Sequence, residues 1–365
     1  MAPRQKAKTP PAPAKKGAAK KDSVGFGIIG CGVIAPFHAE SIQAAVGGRL
    51  VACCDIVEEK AKAFAGKFGI KHCYRDLDDM LKQDDVQAVC ICTPSGLHAQ
   101  NGIAAAQAGK HIMCEKPLDV TLEAIDDFIC TAELYNVKLG GIFQRRTYPV
   151  SRTVRDAVRG GKLGKLVLGD CYQKLFRSHE YYASGDWRAT WELDGGGALM
   201  NQGVHGIDLL LWIMGRVKRV SAYARHLVRN IPVEDTAVAI LEYETGALGV
   251  IQGTTSVTPG EPTRWEFHGD DGTIILQEAS ITKWHCGEER EAPEIQKVDS
   301  GGGGVSDPTA IGAGGHMLLI QDLVNAIKED REPMIPGREA RRAVQLILAI
   351  YESERTGCPV DLPLC

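Results

Sequence analysis

The sequence predicts an α/β protein of two domains, a doubly wound parallel sheet followed by an α/β domain with a mostly antiparallel sheet. Between Val24 and about Gln144, short continuous apolar runs alternate with amphipathic helical patterns. That is the signature of parallel strands buried on both faces by helices. After Pro149 several strand-like runs follow one another without intervening helices, which points to antiparallel pairing. A chain of 365 residues also exceeds what one typical core accommodates.

Residues 1–22, "MAPRQKAKTPPAPAKKGAAKKD", precede the first apolar run. They hold seven Lys/Arg and one Asp, a charge of +6, so the rest of a chain at −4 carries −10. No apolar segment of signal-peptide type is present, and the composition predicts a solvated, disordered tail that catalysis can spare. Because the body is acidic, no nucleic-acid role is expected. No apolar run approaches the ~20 residues of a membrane span. The composition, 44% hydrophobic and 24% charged, is that of an ordinary soluble protein. Twelve cysteines include Cys53, Cys54, Cys90, Cys92 and Cys114 inside apolar runs, with no Cys-x-x-Cys pair and no zinc spacing. They read as buried thiols of a reducing cytoplasm, with no structural metal.

Residues 23–146 form the predicted first domain. Its strand runs are "VGFGIIG", "LVACCD", "AVCICTP", "HIMCE" and "KLGGIFQ"; helices are expected near Ile34–Ala45, Glu58–Phe68, His98–Ala108 and Thr121–Asn136. Residues 147–365 form the second. A helix near Val150–Arg159 leads to the strand "KLVLGDCYQKLF", then a Gly-rich turn and the helix in "GGGALMNQGVHGIDLLLWIMG". Strands "VKRVSAYARH", "TAVAILEY", "LGVIQGTTS", "RWEFHG", "TIILQ" and "SITKW" follow. A flexible Ser300–Pro308 loop precedes two closing helices, around His316–Glu329 and Arg338–Thr356.

"GIIGCGVIAPFH" places Gly30, Gly32 and Ala35 in Gly-x-Gly-x-x-Gly/Ala spacing between the first strand and helix. Glycines there allow a tight turn and close approach of backbone amides to a pyrophosphate, with Val33 and Ile34 alongside. The next strand ends in Asp55, either an N-cap for the following helix or the carboxylate that receives both ribose hydroxyls of NAD. Beside the glycines the second reading is preferred, and it disfavours NADP, whose 2′-phosphate would meet like charge. Thr93, Pro94 and His98 of "TPSGLH" fall at the same sheet edge, as do Glu115 and Lys116 of "IMCEKPLD". Pro117 fixes the chain there and Glu115 can orient or tune the amine. A partly desolvated lysine facing a nicotinamide should have a lowered pKa suited to proton transfer.

"GIIGCGVIAPFH", "TPSGLH", "CEKPL", "FQRR", "GGGALMNQGVHGID" and "ILAIYESERTGCPVDLP" occur together and in order. Over residues 24–363 they resemble the glucose–fructose oxidoreductase/inositol dehydrogenase/MocA family. The resemblance implies a Rossmann domain, a second α/β domain with a large open sheet, and NAD(P)-linked oxidation or reduction of a sugar or cyclitol. Lys116 matches the family's catalytic lysine and His205 its active-site histidine. Many members carry Asp where this chain has Asn201. Trp187 and Arg188, by the same resemblance, approach cofactor or substrate.

Asn201, His205 and Asp208 stand at i, i+4 and i+7, so a regular α-helix would put all three on one face. An amide at Asn201 can orient the His205 ring but cannot neutralise an imidazolium. Lys116 is therefore favoured as proton shuttle with His205 as partner of the reacting hydroxyl, and the reverse assignment stays open. Gln144, Arg145 and Arg146 end the last strand of the first domain, so at least one should reach the cleft; Gln144 is assigned to the cofactor and Arg145 to the substrate. His316 opens a late helix and is a further candidate for substrate contact. Two other readings compete with the dehydrogenase: an NAD-retaining enzyme that cleaves glycosides by oxidation and elimination, and a non-catalytic sugar-responsive protein. One uncovered face of the second sheet predicts a homodimer or homotetramer.

Overall fold

The computed structural model describes residues 23–295 and 314–364, so the basic N-terminal segment and the Ser300–Pro308 stretch lie outside the described residues. The apolar runs become β1 (Val24–Ile29), β2 (Gly48–Cys54), β4 (Ala88–Ile91), β5 (His111–Cys114) and β6 (Leu139–Gly141). Between them lie α1 (Ala35–Ala44), α2 (Glu58–Phe68), α4 (His98–Gln107) and α5 (Leu122–Leu134). Neither β3 (His72–Tyr74) nor α3 (Leu77–Leu81) was named from the sequence; the N-cap of α3, Asp76, accepts the amides of Asp78 and Asp79. The strands run parallel in the order β3-β2-β1-β4-β5-β6. β1 and β4 are buried along their whole length. Strand order reverses between them, and the crevice at their carboxyl ends is where such sheets hold ligands.

The second domain holds α6 (Pro149–Arg159), β7 (Leu166–Lys174), α7 (His179–Tyr182), a π-helical turn Ala198–Gly203 and α8 (Val204–Met214). It continues with β8 (Val217–Arg225), β9 (Thr236–Tyr243), β10 (Leu248–Thr254), β11 (Arg264–Gly269), β12 (Gly272–Gln277) and β13 (Ser280–Cys286). It closes with α9 (Gly314–Glu329), α10 (Gly337–Thr356) and β14 (Val360–Asp361). The sheet order is β13-β12-β11-β7-β10-β9-β8-β14, antiparallel except for the β7–β10 pair. Period-2 patterning sets its faces. In β9, Ala237, Ala239, Leu241 and Tyr243 are buried, while Val238 and Ile240 point away and are exposed. α8 and α10 cover the buried face.

α9 returns to pack on α1, and α10 packs on α5 and β6, so both closing helices also brace the first domain. The Gly141 amide donates to the Ile335 carbonyl at 2.9 Å across that seam. The eleven described cysteines are free thiols. No helix among the described residues is long and apolar enough to cross a membrane.

Candidate active site

The turn from β1 to α1 has the geometry its glycines predict. Gly30 sits at φ +87°, and a Cβ there would meet the Cys92 carbonyl oxygen at 2.8 Å, so both backbone and space demand glycine. A Cβ on Gly32 would enter open space. Asp55 is not the N-cap of α2, since Val57 takes that position. Its Oδ2 instead accepts the Cys31 amide at 2.9 Å and its Oδ1 the Val57 amide at 2.8 Å. The carboxylate is thereby fixed against the glycine turn, flanked by exposed Val33 and Ile56. Gln144 Oε1 is buried with no hydrogen-bond partner. An open glycine cradle, a fixed carboxylate and an orphaned acceptor at one sheet edge fit a dinucleotide. NAD is expected to bind at least about tenfold more tightly than NADP, a difference of about 1.4 kcal/mol, and Asp55→Ser should narrow that ratio. Calorimetry with both dinucleotides checks this, and tighter NADP binding would reject the role given to Asp55.

His98 lies at the same edge with its ring turned to main chain. Nδ1 is 2.6 Å from the Pro117 oxygen and Nε2 2.8 Å from the Thr93 oxygen. It braces the loop carrying Thr93 and Pro94 against the loop carrying Lys116.

Lys116 follows β5, and its Nζ donates to the Asn201 carbonyl oxygen at 2.8 Å. Burial pushes its pKa below the ordinary lysine value; Glu115 and Asp194 act against that shift, and Arg188 and Arg177 add to it. Glu115 Oε1 lies 2.8 Å from His38 Nε2 on α1 and 3.2 Å from His316 Nε2 on α9. Oε2 accepts the Lys116 amide at 3.2 Å. Burial alone would raise the Glu115 pKa, but hydrogen bonds from His316 and His38 hold it well below the carboxylate range. The geometry places one proton on each Nε2, which leaves both Nδ1 atoms buried and unpartnered. These three ligand-type atoms lie within 4.8 Å of one another, at separations set by a shared carboxylate accepting hydrogen bonds. His316 thus reaches Glu115, 201 residues away in sequence.

The stripe expected on α8 is not formed. Asn201 lies in the π-helical turn, where each residue advances by less than the 100° of an α-helix, and the regular i, i+4, i+7 alignment is lost. Its Nδ2 donates to Asp194 Oδ1, and its Oδ1 accepts Gln202 Nε2 at 2.7 Å, so it does not orient His205. Asp208 turns into the core and takes both forks of Arg146, at 2.8 and 2.5 Å. His205 packs edge-on against Phe143, ring centroids 5.8 Å apart, with Nδ1 buried and unpartnered. Burial, then the Lys116 and Arg145 cations, push its pKa well below the ordinary value, so it is neutral near pH 7. A carboxylate on β9's approach holds this segment in place. Glu234 accepts the Gly197 amide at 2.9 Å, the Leu199 amide at 2.8 Å and the Tyr351 hydroxyl at 2.8 Å, and burial pushes its pKa up to about 7.

Arg145 pairs with Glu278 at 2.8 Å and stacks over Trp265 at 5.2 Å. Arg188 lies over the rings of Tyr181 and Trp187, at 4.4 and 4.6 Å, and donates to Tyr181 Oη at 2.7 Å. The loop bearing Trp187 and Arg188 docks on the first domain, where the Gly96 amide donates to the Leu193 carbonyl at 2.9 Å. Asp194, Gln202, Tyr181, Arg177, Glu234 and His38 were not found from sequence. The one signal was an acidic residue directly before three glycines that lead into the histidine-bearing helix.

Residues 24–141 match the oxidoreductase family with an NAD-binding Rossmann fold, and residues 151–275 match the GFO/IDH/MocA C-terminal domain. Myo-inositol 2-dehydrogenase of Thermotoga maritima is 30% identical over 70% of this chain and 76% of its own length. D-glucoside 3-dehydrogenase of Escherichia coli is 25% identical over 92% and 96%. The WlbA dehydrogenase of Bordetella pertussis, solved with NADH and UDP-GlcNAcA, superposes with a TM-score of 0.84 at 33% identity, covering 94% of this chain and all of that one. With both family domains matched in order around one shared crevice, the chain belongs to the GFO/IDH/MocA family of NAD-binding oxidoreductases.

Proposed function

We propose that this oxidoreductase interconverts a secondary hydroxyl and a ketone on a sugar derivative or cyclitol, with Lys116 moving the hydroxyl proton. The observation that carries this reading is the lysine amine, desolvated and held at the carboxyl edge of the first sheet. NAD, when bound, supplies the hydride acceptor. Lys116 takes the hydroxyl proton in oxidation and returns it in reduction. Neutral His205 offers a hydrogen bond that orients the reacting oxygen.

Two cationic groups, Lys116 and Arg188, face the buried carboxylate of Asp194. The Arg188 guanidinium, bonded to the neutral hydroxyls of Ser184 and Tyr181, supports a substrate with an anionic group, such as a uronic acid, a sugar phosphate or a nucleotide sugar; the UDP-GlcNAcA of the Bordetella structure is of this class. A thermal-shift screen with NAD present, followed by NADH absorbance, tests the proposal. Anionic sugars should give the largest shifts together with NADH. A response confined to neutral cyclitols would overturn the substrate preference, and sugar release without NADH would favour oxidation and elimination.

We also propose a homo-oligomer built on the uncovered sheet face. Leu168, Tyr223, Val238, Ile240 and Leu248, on neighbouring strands β7, β10, β9 and β8, are each at least 40% exposed. Monomers seldom tolerate such a contiguous apolar surface. Light scattering at micromolar protein should give a dimeric or larger mass; a monomer would refute it. The free thiols suit a reducing cytoplasm.

A further inference from the structure

Asp194 closes the loop before the Gly195–Gly197 turn and is only 2% exposed. Its Oδ2 accepts the Ala189 amide at 2.8 Å, and its Oδ1 accepts the side-chain amide of Asn201. The Asn201 main-chain carbonyl is the group that holds Lys116 Nζ at 2.8 Å. We propose that Asp194 is a positioning residue for the lysine: through Asn201 it fixes the carbonyl that receives the amine, and it supplies a buried negative charge that sustains the ammonium form. The inference rests on the reading of Lys116 as proton shuttle.

The electrostatics agree with the geometry. Glu115 and Asp194 favour the charged amine against burial, while Arg188 and Arg177 oppose it and His205 is neutral. Asp194 is itself faced by Lys116 and Arg188, and by the phenols of Tyr181, Tyr182 and Tyr351. An opposite charge a few ångströms away moves a pKa by about one unit or more. Without the Asp194 charge, the Lys116 pKa must therefore fall, and the pH–rate profile must move to lower pH with it.

The hydrogen-bond inventory allows a sharp test. Exchanging the two residues, Asp194→Asn with Asn201→Asp, conserves every partner. The new amide at 194 accepts from Ala189 and donates to the carboxylate at 201, whose second oxygen accepts Gln202 Nε2. The charge stays beside Lys116 and moves by one hydrogen bond. Competitive labelling of Lys116 with acetic anhydride, read by mass spectrometry on NAD-free protein, gives its pKa in each variant. Asp194→Asn should lower that pKa by about one unit, and should slow kcat on its pH plateau about tenfold because the carbonyl that receives the amine is no longer fixed. KM for NAD should stay unchanged within error, and the exchanged double variant should recover both pKa and kcat. An unmoved Lys116 pKa in folded Asp194→Asn, or a double variant no better than the single, overturns the proposal. If Asp194→Asn fails to fold, the double variant decides alone. Wild-type protein that turns over no sugar with NAD would reject the proposed reaction, and the labelling would still decide the role of Asp194.

Discussion

Lys116→Met is expected to lose about 10²–10⁴-fold in turnover, the usual scale of a general acid–base contribution, while NAD affinity stays within a few fold. The two properties separate because they reside on different loops. The phosphates are to be held by the Gly30–Ala35 turn after β1, whereas the amine follows β5 and points at the Asn201 carbonyl. Methionine keeps the length and apolar stem of lysine without the charge. Burial already disfavours the ammonium, so the variant should melt no lower than wild type, which distinguishes lost chemistry from lost folding. In the wild type, the same burial predicts an apparent pKa for the proton-transfer step below the ordinary lysine value of about 10.4. The amine is therefore competent as a base at lower pH than an exposed lysine. His205→Asn should slow turnover less, because a neutral ring positions the hydroxyl without carrying the proton away. Near wild-type turnover in Lys116→Met beside a dead His205→Asn would make the histidine the base.

How much of this was legible in the sequence depends on how each residue reaches its place. The parallel sheet was readable because β1, β2, β4 and β5 are apolar runs buried on both sides, and their pattern is local. β3 escaped because it is a three-residue edge strand with His72 and Cys73 exposed, too short for any period to show. Lys116, His205 and Asp55 were found because each follows a recognisable strand end, turn or helix. Glu115 was assigned to the amine and the cofactor, yet most of its hydrogen bonds come from His38 and His316, on helices at opposite ends of the chain. Asp194 and Glu234 act from irregular segments, where side-chain direction follows from tertiary contacts that no spacing encodes. Asp208 was misread for a different reason: a periodic pattern was present, but the helix that carries it does not begin as an α-helix.

Asp208→Asn is expected to cost about 3–5 kcal/mol of stability, the scale for removing one partner of a buried ion pair. Asp208 is fully buried and Arg146 is 4% exposed, so neither can turn to solvent. Burial alone would lower the Arg146 pKa, but the carboxylates of Asp208 and, to a lesser degree, Glu339 together offset this and keep the guanidinium charged. An amide offers one acceptor where the fork needs two, and the remaining acid, Glu339, is 3.4 Å away and partly exposed. The guanidinium would stay buried with most of its charge uncompensated. Replacing both partners by apolar residues of similar size, Arg146→Met with Asp208→Leu, removes the charge and the demand together, and such replacements are often neutral or stabilising. Urea unfolding of the single and double variants separates the two cases. The double variant should be clearly more stable than Asp208→Asn and should turn over substrate, since neither residue touches Lys116 or His205. A single variant within about 1 kcal/mol of wild type, the range of an exposed pair, would show that the pair does not anchor α8. A stable double variant without activity would return Asp208 to the site.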